Sequence, residues 1–176
     1  MWPERTSTNS TASVLAIDPG LTGAIALLCG STLAVADIPT ETRGKKTAVD
    51  LAALWRIIGD WAEATPCMHA VVENVGSMPL QGTGSACNFG KTIGACEMAV
   101  VAAGCELVRV IPQTWKFGVG ICADPNAGTR ARKAKSRARA QELFPNHAHL
   151  FARVKDDGRA EAALMAWWFV HRRIAK

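Results

Sequence analysis

Four carboxylates scattered along the chain, Asp18, Glu73, Asp157 and Glu161, are the residues best suited to chemistry. Asp18 ends the apolar run Val14-Leu15-Ala16-Ile17 and precedes Pro19-Gly20, and Glu73 ends a second run, Ala70-Val71-Val72. A carboxylate at the carboxyl end of a buried strand stands where open α/β sheets carry their ligands. Asp157 and Glu161 are four apart, so a helix projects both from one face. Each acid also has a plainer use: Asp before Pro-Gly is good turn chemistry, and the macrodipole favours acids at a helix start. That second use accounts for Asp156 and Asp157, and less well for Glu161. Taken together, four oxygen donors with no His or Cys among them suit hard, octahedral Mg2+ or Mn2+. Two such ions about 4 Å apart would activate a water and stabilise the leaving oxygen of a phosphodiester, with no protein nucleophile.

The elements that must position these acids follow from periodicity. Residues 14–28 are two apolar runs flanking a Pro-Gly turn, which predicts a hairpin, and residues 32–38 add a third antiparallel strand. Residues 39–47 read as a polar loop. From 48 to 64, Val49, Leu51, Leu54, Trp55, Ile57, Ile58 and Trp61 recur at helical spacing. A fourth strand is expected over 68–72, a shaped loop with Gly and Pro over 74–84, and a helix over 85–103 that is apolar nearly all round. One side of that helix can face the sheet and the other a second subunit. A fifth strand over 106–111, a short helical turn over 112–116, a basic helix over 129–143 and a last helix over 157–173, with Trp167 and Trp168 in its core face, complete the order. Hairpin strands followed by alternating helices and strands predict an α/β fold with a mixed five-stranded sheet, three antiparallel strands then two parallel, and helices on both faces. The RNase H-like fold has this order.

With 176 residues, 20% charged and 49% apolar, the chain fits one folded domain over 13–176 behind a loose polar tail, 1–12. That tail lacks the basic start and apolar middle of a secretory signal, so a cytoplasmic, membrane-free protein is expected. The six cysteines, Cys29, Cys67, Cys87, Cys96, Cys105 and Cys122, contain no Cys-x-x-Cys pair and read as small core residues in a reducing compartment. His147 and His149 read as surface residues. The net charge is +5, and the excess gathers in Arg130, Arg132, Lys133, Lys135, Arg137 and Arg139 without an intervening acid. Such a cluster suits a nucleic-acid backbone, bound through counterion release.

The chain resembles the RuvC family of Holliday junction resolvases, particularly its phage and organellar branch. The resemblance runs through Ile17-Asp18-Pro19-Gly20, Val72-Glu73-Asn74-Val75 with Met78-Pro79 and Gln81-Gly82, Phe89-Gly90-Lys91, Pro112-Gln113-Thr114-Trp115-Lys116, Lys135-Ser136 before Leu143-Phe144-Pro145, and Asp157-Gly158-Arg159-Ala160-Glu161-Ala162. It implies a homodimeric, Mg2+- or Mn2+-dependent endonuclease that nicks opposed strands of a four-way DNA junction, with Asp18, Glu73, Asp157 and Glu161 as metal ligands and no small-molecule cofactor. It also implies Met78 as the apolar candidate at the junction centre, Gln81 as a further DNA contact, and Lys91, Lys116, Lys133, Lys135 and Arg137 on phosphates. The bacterial enzymes space the last two acids by three residues rather than four, which leaves Asp156 and Asp157 both open as the ligand. Other readings are a nuclease acting more broadly on flaps, forks or RNA–DNA hybrids, a non-catalytic branched-DNA binder, and a sugar kinase or actin-like ATPase suggested by Asp18-Pro19-Gly20 with Thr22-Gly23. The last requires two such domains, for which this chain is too short.

Overall fold

This computed structural model describes residues 13–65, 69–76, 82–121 and 128–172. Within them the chain runs β1 (Ser13–Asp18), β2 (Ala24–Cys29), β3 (Thr32–Asp37), β4 (Thr40–Arg43), β5 (Lys46–Val49), α1 (Leu51–Ala64), β6 (His69–Glu73), α2 (Thr83–Ala102), β7 (Glu106–Val110), α3 (Pro112–Gly118), α4 (Thr129–Leu143), a 3-10 helix (Pro145–Phe151) and α5 (Asp157–His171). The expected tail 1–12 and the positions Met78, Gln81, Cys67 and Cys122 lie outside the described residues.

Strands β3, β2, β1, β6 and β7 form one sheet in that order, antiparallel across the first three and parallel from β1 to β6 to β7. Apolar side chains on both faces of β1, β2 and β6 explain why these strands are central. Val14, Ala16, Ala24, Ala26 and Val71 point to one face, where Trp115 of α3, Ala140 of α4 and Ala160, Ala163 and Leu164 of α5 cover them. Leu15, Ile17, Ile25, Ala70 and Val72 point to the other, under Leu54 and Ile58 of α1 and Cys96 and Val100 of α2. This is a mixed sheet with helices on both faces, the RNase H-like architecture. Alternation along β1 and β6 therefore sends the side chains of Asp18 and Glu73 to the α3–α4–α5 face.

Three expectations need correction. Residues 39–47 are not a loop: β4 and β5 pair antiparallel as a separate ribbon, Arg43 opposite Lys46, around a turn in which Gly44 adopts φ 64°. Val49, read as helical, closes β5, and α1 begins only at Leu51, where the Asp50 side chain caps the Ala53 amide at 2.9 Å. Cys87 is exposed on α2 rather than in the core, whereas Cys96 and Cys105 are buried. No described helix is long and apolar enough to cross a membrane.

Candidate active site

The parallel pairing of β1 with β6 sets Ile17 opposite Val72, so the next residue on each strand, Asp18 and Glu73, ends neighbouring strands at the same height. Two glycines then let the β1–β2 turn and α5 close over them. A Cβ at Gly23 would overlap the Asp18 carbonyl, and a Cβ at Gly158 would lie 2.5 Å from the Thr22 carbonyl oxygen. With both positions bare, the first turn of α5 rests on the turn that follows Asp18 and brings Asp157 and Glu161 to the same rim.

The acids act on one another's ionisation. Burial pushes the Asp18 carboxyl well above its ordinary 3.8, and Glu73, Glu161 and Asp157 push the same way against Lys116. Glu73 is buried at 5% exposure. Burial raises its carboxyl as well, opposed by a hydrogen bond from Trp115 and reinforced by Glu161. That bond, Trp115 Nε1 to Glu73 Oε1, is 2.8 Å long and comes from a tryptophan with no exposed surface. Lys116 Nζ lies 3.1 Å from Glu161 Oε2, and Ser136 Oγ donates to Glu161 Oε1 at 2.9 Å. Lys133 Nζ pairs with Asp157 Oδ2 at 2.6 Å, which raises the Lys133 ammonium pKa.

Asp156 has a different environment. It is 2% exposed and is held by Arg153, whose amide donates to Oδ2 at 2.8 Å and whose Nη2 lies 2.8 Å from Oδ1. Burial alone would raise its carboxyl, but the Arg153 bonds and the charge of Arg159 hold it below the usual value. Arg159 in turn grips Asp37, at the end of β3, with two bonds of 2.5 and 2.8 Å. Arg159 thus ties the start of α5 to the end of β3, and Asp156 ties it to the preceding segment through Arg153, which leaves Asp157 and Glu161 to the rim.

The basic helix α4 touches the fold through a thin seam. Ser136 and Ala140, four apart, are its buried residues, and their small side chains bring it close to α5. Lys133 and Lys135 stay exposed, Lys133 beside Asp157, and Arg137 is partly buried with Nη1 on the Val154 carbonyl at 3.0 Å. Lys91 is exposed on α2, on the opposite face of the sheet.

In kind and charge the acids fit a hard cation. Four carboxylates face two ammonium groups, and burial, reinforced by the neighbouring acids, raises the carboxyls of Asp18 and Glu73. Among the described residues, no three His, Cys, Asp or Glu side chains are arranged to enclose a metal ion. Lys116 and Lys133 hold Glu161 and Asp157, so the ligand shell is open as the side chains stand.

Trp115 and Ser136 are parts of the site that the sequence quoted within motifs without assigning a role. Trp115 gave a hint as an aromatic set before Lys116 on an amphipathic turn, and Ser136 as a hydroxyl four residues from Ala140 in a helix otherwise rich in cations.

Neither a protein-family model nor a curated protein matches the sequence. Among solved structures, T. thermophilus RuvC in complex with Holliday junction substrate superposes with a TM-score of 0.63 at 15% identity, over 93% of this chain and 96% of that one. The chain has the RuvC fold. A second Thermus thermophilus RuvC structure agrees, with a TM-score of 0.53, 16% identity and coverage of 92% and 96%. The RuvC fold thus spans nearly all of this chain.

Proposed function

We propose that the chain is a metal-dependent endodeoxyribonuclease for branched DNA, one nuclease domain over residues 13–176 that acts as a homodimer and resolves four-way junctions by paired, symmetric nicks. The observation that carries this reading is the meeting of Asp18, Glu73, Asp157 and Glu161, from two strand ends and one helix, at a rim flanked by the cations of α4. A structure of the same fold with a Holliday junction bound supports the substrate class.

Mg2+ or Mn2+ held by Asp18, Glu73, Asp157 and Glu161 would supply an activated water and charge for the leaving oxygen. We assign Asp157 rather than Asp156 to that set, because Asp156 is already held by Arg153. Trp115 fixes one oxygen of Glu73 and so orients the other. Ser136 and Lys116 fix Glu161 in the same way. Lys116, Lys133, Lys135 and Arg137, with Lys91 across the sheet, meet phosphates and set the register of the DNA, as backbone contacts do. On the segment that follows Glu73, Met78 is assigned to the junction centre and Gln81 to a DNA contact. For the homodimer, the support is an apolar surface shared by α1 and α2, on which Leu51, Trp55, Met98 and Val101 are exposed.

Purified protein incubated with labelled four-way junction, fork, flap and linear duplex in Mg2+ or Mn2+ tests the reading. Paired nicks confined to the junction support it. Comparable cutting of flaps and forks favours the broader branched-DNA nuclease, and binding without cutting under any divalent ion favours the non-catalytic binder.

A further inference from the structure

A cavity of about 600 Å3 lies on the other side of the β1–β2 turn from the acids. Its walls are Leu21 and Thr22 of that turn, Arg43 and Lys46 of the β4–β5 ribbon, and Phe89 and Lys91 of α2. We propose that this groove is a second DNA contact, a channel for the phosphodiester backbone of the duplex arm that leaves the cut site. The inference rests on the nuclease reading and extends it to residues 40–49, which no other part of the account uses.

Charge is the first argument. Three cations from separate elements line the groove, and among the described residues that line it none is acidic. Arg43 is shared with Glu41, whose Oε1 accepts its Nε at 2.7 Å on the exposed ribbon.

Continuity is the second. Thr22 is a wall of the groove, and its carbonyl is the atom against which Gly158 of α5 packs. The groove and the acid rim are thus two sides of one turn. The cations of α4 lie with the α5 face of the sheet, and those of the groove lie with the α2 face. A strand crossing the rim that carries Asp18 and Glu73 meets positive charge both before and after it.

The lining also argues against a small nucleotide. Such a ligand needs a few buried polar groups to fix its orientation. Thr92, the buried hydroxyl on this wall, already donates to the Asn88 carbonyl at 3.2 Å, while Ser85 and Asn88 are exposed. Cations spaced along a partly open groove suit a repeating phosphate chain.

The test measures binding alone, in an Asp18→Asn background, by fluorescence anisotropy on a labelled four-way junction over a series of salt concentrations. Combining Arg43→Ala, Lys46→Ala and Lys91→Ala should lower the slope of log K against log salt by roughly 2–3 and weaken binding on the order of 10-fold or more at low salt. Arg43→Lys, Lys46→Arg and Lys91→Arg together should retain the parental slope, and thermal melting checks that all variants fold. A parental slope in the triple alanine variant, while Lys133→Ala with Lys135→Ala lowers it, overturns the groove and leaves the nuclease reading intact. Failure of the charge-keeping variant to retain the slope also overturns the groove. Absence of junction binding by the parent overturns both.

Discussion

Asp18→Asn should make the protein more stable while removing its activity. Burial and the neighbouring charges of Glu73 and Glu161 hold the Asp18 carboxyl well above its ordinary value, so in the absence of divalent ions its ionised form is a burden on the folded state. Each unit of such a rise is worth about 1.4 kcal/mol, and for a chain of this length 1 kcal/mol moves Tm by roughly 2–4 °C. An isosteric amide removes the charge, so at neutral pH in EDTA the variant should melt higher than the parent, by roughly 3 °C for each unit of the rise. The pH dependence fixes the sign. A carboxyl raised in the native state binds protons that the unfolded chain has lost, so its contribution makes stability fall as pH rises through the raised value. Lowering pH toward the ordinary carboxylate range protonates Asp18 and Glu73, and the gap between variant and parent should close. Asp37 and Asp156 work the other way: their lowered values give stability that is lost as pH falls further. Differential scanning fluorimetry across pH in EDTA reads all of this. A variant that melts lower than the parent at neutral pH, or a gap that widens on acidification, would refute the reasoning.

Trp115→Phe removes the buried donor to Glu73. It should cost about 1.5–3 kcal/mol in denaturant unfolding and raise the acidic limb of the cleavage profile, since the lost bond is one that lowers the Glu73 carboxyl; an unmoved limb would count against Glu73 titrating in the site. Gly158→Ala forces a methyl toward the Thr22 carbonyl and should destabilise by about 1–3 kcal/mol, with loss of cleavage as α5 lifts from the turn; parental stability would show that the two do not pack so closely. Lys133→Ala breaks a half-exposed ion pair and should change stability by less than about 1 kcal/mol. It should lower the salt slope of junction binding by about 1, and an unchanged slope would remove Lys133 from the phosphate contacts.

Much of this site was legible in the sequence because two of its acids end apolar strands and two share a helix face. The β1–β2 hairpin and α4 announce themselves by composition, and the bounds expected for α4 are those observed. The β4–β5 ribbon does not, because Thr40-Glu41-Thr42-Arg43 and Lys46-Thr47 carry no apolar alternation. Its strands are held by mutual register and by the left-handed Gly44, a signal present in Arg43-Gly44-Lys45-Lys46 but weak beside the charge of the segment. Choosing between Asp156 and Asp157 was beyond the sequence because adjacent residues on a helix start differ only in what they face, and the proposed choice of Asp157 rests on the bonds that Arg153 makes to Asp156. The roles of Trp115 and Ser136 are likewise tertiary: each reaches a carboxylate far away in sequence.

Single-turnover cleavage of an end-labelled four-way junction by the parent and by Glu73→Gln, in Mg2+, Mn2+ or EDTA, tests most directly whether these acids form one cation-dependent nuclease site. The account predicts paired nicks by the parent with divalent ions and none in EDTA. It also predicts a loss of at least about 100-fold in Glu73→Gln, a size typical for a group that stabilises transition-state charge, with junction binding retained. Equal cutting by the two proteins, or cutting by the parent in EDTA, would contradict it.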